Sequence, residues 1–301
     1  MSASEGASEG AGRAGAGAGA NAGAELALEA RGVVKVYGEN RVLDGVDLVV
    51  RRGEIVSLIG RSGGGKSTLL KCLIGATRPT AGRIFVLGRE VTGASEAEIN
   101  EVRRTFGVLF QSGALFNSMT VGENLALPLR RHTRLDEPTI QILVRLKLEL
   151  VGLRGAEDLV PAELSGGMKK RVGLARALAL EPRLVFFDEP HAGLDPVSNG
   201  MIDKLIVDLT RKLGITSVVV THELPSALRI SDRVVMLDHG RIVADAPPAR
   251  LSEIGDPLVC QFVTGSAEGP VSFHRSDKDY AEDVLEVAEK YTQRRKFLGR
   301  G

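Results

Sequence analysis

Three short runs in this chain carry the groups needed to hold a polyphosphate and bring water to it. In Gly60-Arg61-Ser62-Gly63-Gly64-Gly65-Lys66-Ser67-Thr68, the glycines let backbone N–H groups turn inward on phosphate oxygens. Lys66 adds a positive charge for the β- and γ-phosphates, Ser67 offers a hydroxyl to a magnesium ion, and a following helix would point its positive dipole end at the same phosphates. The second run, Leu184-Val185-Phe186-Phe187-Asp188-Glu189, is apolar and delivers two carboxylates at its C-terminal end, where open α/β sheets bind ligands. Asp188 suits a magnesium shell, and Glu189, one residue on, suits activation of an attacking water. The third run, Leu164-Ser165-Gly166-Gly167-Met168, places a hydroxyl and two approachable backbone amides at the start of a helix, which is an anion site. His222 follows the apolar stretch 217–221 and repeats the pattern of a polar group at a buried strand end; taken alone it reads as a hydrogen-bonded structural histidine.

These runs need a particular scaffold. Residues 55–59 run straight into the glycine-rich loop and residues 66–74 read as a helix, giving strand, phosphate loop, helix. Residues 108–110, 184–187 and 217–220 are short, continuous apolar runs, as expected for parallel strands covered on both faces. The stretches 26–36, 42–50 and 83–87 are punctuated by glycine and charged turns and predict antiparallel strands. Between Gln111 and Leu180 the pattern is helical. Residues 139–150 place Ile140, Leu143, Val144 and Leu146 near one face, and residues 166–180 form a second helix, so a helical subdomain spanning about 112–180 is inserted into the core. Residues 232–237 and 241–244 read as a hairpin through Asp238-His239-Gly240. The fold class is therefore α/β: a P-loop nucleotide-binding domain with a parallel-sheet core, an antiparallel β subdomain and an inserted α-helical subdomain.

Composition bounds the partners. The chain has 301 residues, enough for one large domain, and its 43% hydrophobic content supplies a core. Lys and Arg total 39 against 38 Asp and Glu, so no global field draws the chain to nucleic acid or an acidic membrane. Cys72 and Cys260 are the only cysteines, which fits a reducing compartment and gives neither a disulfide framework nor metal-ligand spacing. No stretch approaches the ~20 uncharged apolar residues that cross a bilayer, so any membrane role is peripheral. Residues 1–24 form a Gly/Ala/Ser tract expected to be a disordered tail.

The order of these motifs resembles the ATP-binding cassette (ABC) ATPases over residues 25–265. The resemblance implies ATP and Mg2+ as ligands and two composite sites between two copies of the chain. It implies that Tyr37 stacks on adenine, that Gln111 senses magnesium and the γ-phosphate, and that His222 is the switch histidine. It further implies that Gly193-Leu194-Asp195 crosses the dimer interface, and that Ser165, Gly166 and Gly167 cap the γ-phosphate held by the opposite subunit. Two positions depart from the family pattern: Met168 stands where glutamine is common, and His191 where threonine is usual. All the catalytic groups are filled, Lys66, Gln111, Glu189 and His222, which argues against a regulatory module without turnover.

A single cassette with no heptad tract and no basic excess argues against the nucleic-acid-associated ABC proteins. A transporter ATPase is therefore expected, with integral-membrane permease subunits as partners. The run Phe110-Gln111-Ser112-Gly113-Ala114-Leu115-Phe116, the signature run Leu164–Met168 with its Lys169-Lys170-Arg171 sequel, and Gln261-Phe262 followed by Gly269-Pro270-Val271 resemble the ATPase of the Mla-type, MCE-associated phospholipid transporters. That resemblance implies the cytoplasmic face of a bacterial inner membrane, an MCE lipid-binding protein, a small STAS-domain subunit, and permease docking near residues 111–129. Amino-acid importer ATPases share the cassette but usually carry glutamine at position 168. Residues 266–301 read as an extension. Ser276-Asp277-Lys278-Asp279 resembles a helix start, Arg294-Arg295-Lys296 a basic finish, and Tyr280, Val284, Val287, Ala288 and Tyr291 recur at helical spacing. The stripe is expected to dock on a neighbouring subunit, as in Mla-type ATPases, or to pack on its own cassette.

Overall fold

A computed structural model describes residues 25–271, 281–282 and 284–290. In chain order the elements are β1 (Leu26–Tyr37), β2 (Asn40–Arg51), β3 (Ile55–Ile59), α1 (Lys66–Leu73), β4 (Ala81–Val86), β5 (Arg89–Glu90), α2 (Glu96–Arg103) and β6 (Phe106–Leu109). Three helices follow, α3 (Val121–His132), α4 (Glu137–Leu150) and α5 (Gly166–Ala177). The chain then forms β7 (Leu184–Asp188), α6 (Pro196–Leu213), β8 (Thr216–Val220), α7 (Leu224–Ile230), β9 (Arg233–Asp238), β10 (Arg241–Ala246) and α8 (Pro257–Thr264).

The strands make two sheets. One is antiparallel, in the order β2-β1-β4-β5; the other runs β10-β9-β3-β8-β7-β6, parallel except for the edge strand β10. Strands β3 and β8 are buried along their whole length, which is why their sequences are continuous rather than alternating. Side chains still alternate between faces along β7. Phe186 packs toward the antiparallel sheet with Leu43 and Leu237, while Val185 and Phe187 pack toward the helices with Leu125, Val144 and Val172. The parallel register aligns Leu58 with Val220 and Val220 with Asp188, so the strand ends that lead into the glycine loop, the acidic pair and His222 emerge at one edge.

Several expectations shift at their boundaries. The strand before Gln111 is Phe106–Leu109, and Phe110 lies beyond it, 42% exposed. On α4 the buried residues are Ile140, Val144 and Leu148, whereas Leu146 is exposed, because it lies roughly 200° around the helix from Val144. Helix α5 stops at Ala177, where the Ala179 N–H turns to Arg176 O and Pro182 bars continuation. The β9–β10 hairpin closes through His239 and Gly240 at φ +43 and +75, the pair of positive values that a type I′ turn requires.

Helix α8 ends at Gly265, and Gln261 then ties the chain back. Its Oε1 accepts from Val271 N at 2.8 Å and its Nε2 donates to Val271 O at 3.1 Å. Residues 281–282 and 284–290 are helical, and Val284, Leu285 and Val287 are exposed. The expected helix start at 276–280, Tyr291, the basic finish at 294–296 and the tail 1–24 lie outside the described residues. Among the described residues no helix is long and apolar enough to cross a membrane. Cys72 and Cys260 are free thiols.

Candidate active site

The glycine loop leaves β3 at Gly60, whose φ is +143; a Cβ there would lie 2.0 Å from the carbonyl oxygen of Leu237 on β9. Only glycine fits so close a crossing. Gly64 N–H donates to Arg61 O at 3.1 Å and Gly240 N–H to Gly64 O at 3.2 Å, holding the loop's curve. Helix α1 begins immediately after Gly65, with neither a side-chain cap nor an acidic residue in its first turn, so its first N–H groups are left for an anion. Lys66 is nearly buried, and its Nζ donates to the carbonyls of Gly60 at 2.7 Å and Arg61 at 3.0 Å. Burial pulls the Lys66 ammonium below its usual value and the Glu189 charge opposes that pull. Ser62, Gly63 and Ser67 are exposed along the loop, with Arg61 and Thr68 half-buried. These donors fit a triphosphate.

Glu189 follows the last residue of β7 with a left-handed φ of +49, and its N–H still pairs with Val220 O at 2.8 Å. The turn brings its Oε2 within 2.7 Å of His222 Nδ1, and the His222 backbone N–H lies 3.3 Å from the same oxygen. The two residues that sequence reasoning placed at separate strand ends thus meet directly. Beside them, burial pushes the Asp188 carboxyl above the usual carboxylate range, the Glu189 charge adds to the push, and Lys71 opposes it. The Asp188 carboxylate and the Gln111 amide oxygen are the hard oxygen donors that a magnesium ion takes. Gln111 and Asp188 line one open cleft of about 510 Å³ together with Phe110, Ser112, Ala192 and Gly193.

The other residues expected at the site lie on β1 and at the starts of α5 and α6. Tyr37 ends β1, half exposed, with the Lys35 ammonium 4.7 Å from its ring centroid. Ser165 caps α5, its Oγ accepting from Met168 N at 3.2 Å, and Ser165 and Gly166 are exposed while Gly167 is half-buried. A Cβ on Gly167 would lie 3.5 Å from Ser198 Oγ, which places the signature beside the segment that opens α6. Asp195 caps that helix, accepting from Val197 N at 2.9 Å, Ser198 N at 3.0 Å and Ser198 Oγ at 2.5 Å. Those hydrogen bonds, the Ser198 hydroxyl first, hold its carboxyl below the usual range. Asp195 is thus a helix cap, a role that was readable from its place before Pro196.

Sequence reasoning missed the residues that fasten the site. Arg176 on α5 donates to Ala114 O at 2.8 Å and Gly113 O at 3.1 Å, and its guanidinium stands 5.8 Å from the Phe116 ring centroid. A Cβ on Gly173 would meet Gly113 O at 2.9 Å, so α5 lies backbone against backbone on the segment after Gln111. His191, fully buried, donates from Nε2 to Asp203 Oδ1 at 2.8 Å, and its Nδ1 lies 3.4 Å from the Thr221 hydroxyl. Asp203 also accepts from Arg229 Nε at 3.0 Å. Burial alone would raise the Asp203 carboxyl, but its hydrogen bonds and charge interactions with His191 and Arg229 outweigh that and hold it below the usual range. The chain His191, Asp203, Arg229 thereby joins the turn after Glu189 to α6 and α7.

His191→Ala removes one partner of a buried carboxylate and is expected to cost about 2 kcal/mol or more of stability. Urea unfolding of the variant beside the parent checks it; an unchanged midpoint would contradict the network's structural role. Folding holds the Asp203 carboxyl below its unfolded value. The stability it contributes is present above the unfolded carboxylate range and is lost as pH falls through the lower folded value.

The ABC transporter family profile matches residues 43–192. The intermembrane phospholipid transport system ATP-binding protein MlaF of Escherichia coli (strain K12) is 45% identical over 258 residues, covering 86% of this chain and 96% of that protein. The probable ribonucleotide transport ATP-binding protein mkl of Mycobacterium leprae is 42% identical over 263 residues, covering 87% of this chain and 76% of that protein. Among solved structures, the dimeric post-hydrolysis state of the ATP-binding cassette MJ0796 bound to ADP and Pi matches with a TM-score of 0.69 at 30% identity, covering 73% of this chain and 98% of that chain. Identity at this level across nearly the whole of a relative fixes the family: this chain belongs to the ATPase subunits of the ABC transporters.

Proposed function

We propose that the chain is the ATP-hydrolysing subunit of an Mla-type phospholipid transporter and works as a dimer with two composite ATP sites. The observation that carries the substrate class is the 45% identity over 96% of E. coli MlaF, which extends well beyond the nucleotide motifs. In this reading the loop Gly60–Thr68, with Lys66, holds the β- and γ-phosphates, and Tyr37 stacks on adenine. Ser67, Gln111 and Asp188 are the residues that would hold Mg2+, which neutralises phosphate charge when bound. Glu189 takes a proton from the attacking water while His222 holds the Glu189 carboxylate in place. Ser165, Gly166 and Gly167 close on the nucleotide of the partner, and the segment ending at Asp195 lies at the interface.

Residues 25–265 form the cassette in this reading, with residues 112–180 its helical subdomain and residues 266–301 an extension. Between β6, α3 and α5 lies an open groove of about 940 Å³, lined by Phe110, Phe116, Leu127, Arg131 and Arg176 among others. An apolar floor with a cationic rim suits the permease segment that couples ATP closure to transport, and it holds the chain at the inner face of the membrane. A STAS-domain subunit and an MCE lipid-binding protein complete the expected assembly. A second reading, transport of a nucleotide or other small solute, is favoured by the name of the mycobacterial relative.

Purification of the tagged protein from its native membrane, followed by identification of stoichiometric partners, separates the two. A permease with an MCE lipid-binding protein is the expected result. A soluble solute-binding protein in its place would overturn the phospholipid reading. The exposed Val284, Leu285 and Val287 support docking of the extension on a neighbouring subunit. Truncation after Gly269 is accordingly expected to spare nucleotide binding and weaken dimer or complex assembly in size-exclusion chromatography; normal assembly would reject that docking.

A further inference from the structure

Lys170 lies on α5, five positions after Ser165, yet it is only 5% exposed. A lysine on a helix surface ordinarily keeps its ammonium in water. This one points inward, and its Nζ donates to three main-chain carbonyls, Glu189 O at 3.2 Å, Pro190 O at 2.8 Å and Ala192 O at 2.6 Å. Three acceptors match the three N–H groups of an ammonium. Burial pulls the Lys170 ammonium below its usual value, and the Glu189 charge opposes that pull. A buried cation is retained only where its donors are satisfied, as they are here.

The carbonyls belong to the turn that leaves β7 with Glu189 at φ +49, a conformation that costs a non-glycine residue free energy unless its surroundings impose it. Two side chains impose it. Lys170 gathers the carbonyls of the turn, and His191 anchors the same turn to Asp203 and Thr221. With the backbone so fixed, the Glu189 carboxylate is directed to His222 Nδ1 at 2.7 Å.

We infer that Lys170 is a positioning residue for ATP hydrolysis: it fixes the main chain of Glu189 and ties each subunit's signature helix to that subunit's own water-activating carboxylate. The inference rests on the role of Glu189 in activating water. A displacement of about 1 Å at such a group can cost on the order of 100-fold in rate.

The test is steady-state ATPase kinetics on the full-length dimer with Lys170→Met, Lys170→Arg and, in parallel, Glu189→Gln. Lys170→Met is expected to lower kcat at least ~10-fold with KM for ATP within about twofold of the parent. Lys170→Arg, which keeps a charged multiple donor, is expected to recover most of the loss. Should Lys170→Met yield no soluble dimer, Lys170→Gln decides by the same kcat and KM criteria. Parent-like turnover in the neutral variant overturns the inference, as does a loss that falls on KM or that Lys170→Arg fails to relieve. If Glu189→Gln itself turns over normally, the underlying role of Glu189 fails; if Glu189→Gln is dead while Lys170→Met is unaffected, only the Lys170 inference fails.

Discussion

Glu189→Gln is expected to retain ATP binding, slow hydrolysis by at least ~100-fold and accumulate an ATP-bound closed dimer. The substitution keeps the size of the side chain and removes only its capacity to take a proton. The amide can still hydrogen-bond His222, whose Nδ1 stands 2.7 Å from Oε2, so the loop geometry is preserved while the chemistry stops. Lys66→Ala separates from it by phenotype. Lys66 sits at the start of α1 among the carbonyls of its own loop, and its loss removes the positive charge that draws the phosphates in. That variant is expected to lose productive binding rather than the hydrolytic step. Comparable turnover by Glu189→Gln and the parent at saturating ATP would sink the assignment.

Ser165→Arg is expected to abolish ATP-driven dimerisation of the homogeneous protein, because the signature acts on the nucleotide of the other subunit. Ser165 is exposed at the head of α5, where an arginine would fill the approach of the opposing phosphates. The serine also caps α5, and loss of a cap costs about 1 kcal/mol by itself. Ser165→Asp is the control, since it keeps a capping oxygen but sets a negative charge against the γ-phosphate; it too is expected to fail. Mixing Ser165→Arg chains with Lys66→Ala chains leaves one intact composite site per heterodimer, and ATPase activity above that of either parent variant is the expected outcome. Normal ATP-driven dimerisation of homogeneous Ser165→Arg would contradict the action in trans.

The parts of this site that were legible in the sequence are those set by local rules. Continuous apolar runs gave β3, β7 and β8, and the parallel register then brought Lys66, Asp188 and His222 to one edge without any side-chain detail. His239-Gly240 marked its hairpin because only a few residue types take positive φ twice in succession. What stayed hidden depends on contacts distant in sequence. The roughly 100° step of a helix already sets Leu146 on the outer face of α4, away from Val144, but periodicity does not name the partners a helix face will meet. Nor could it show that Lys170, in the basic triplet Lys169-Lys170-Arg171, turns inward to the carbonyls of Glu189, Pro190 and Ala192. His191 stood out only as a departure from threonine; its partners Asp203 and Thr221 lie 12 and 30 positions on, and Asp203 is in turn held by Arg229. The signal that could have found both residues is a charged or ionisable side chain inside an otherwise apolar helix face or strand-end turn.

The most direct test of the account is ATP-dependent phospholipid movement by the complex purified with this chain and reconstituted in vesicles, read as transfer of a labelled phospholipid between the vesicles and the lipid-binding subunit. Transfer that requires ATP and is lost with Glu189→Gln is the predicted result. ATP hydrolysis that proceeds and responds to Glu189→Gln while no phospholipid moves, with a nucleotide or amino acid transported instead, would contradict it.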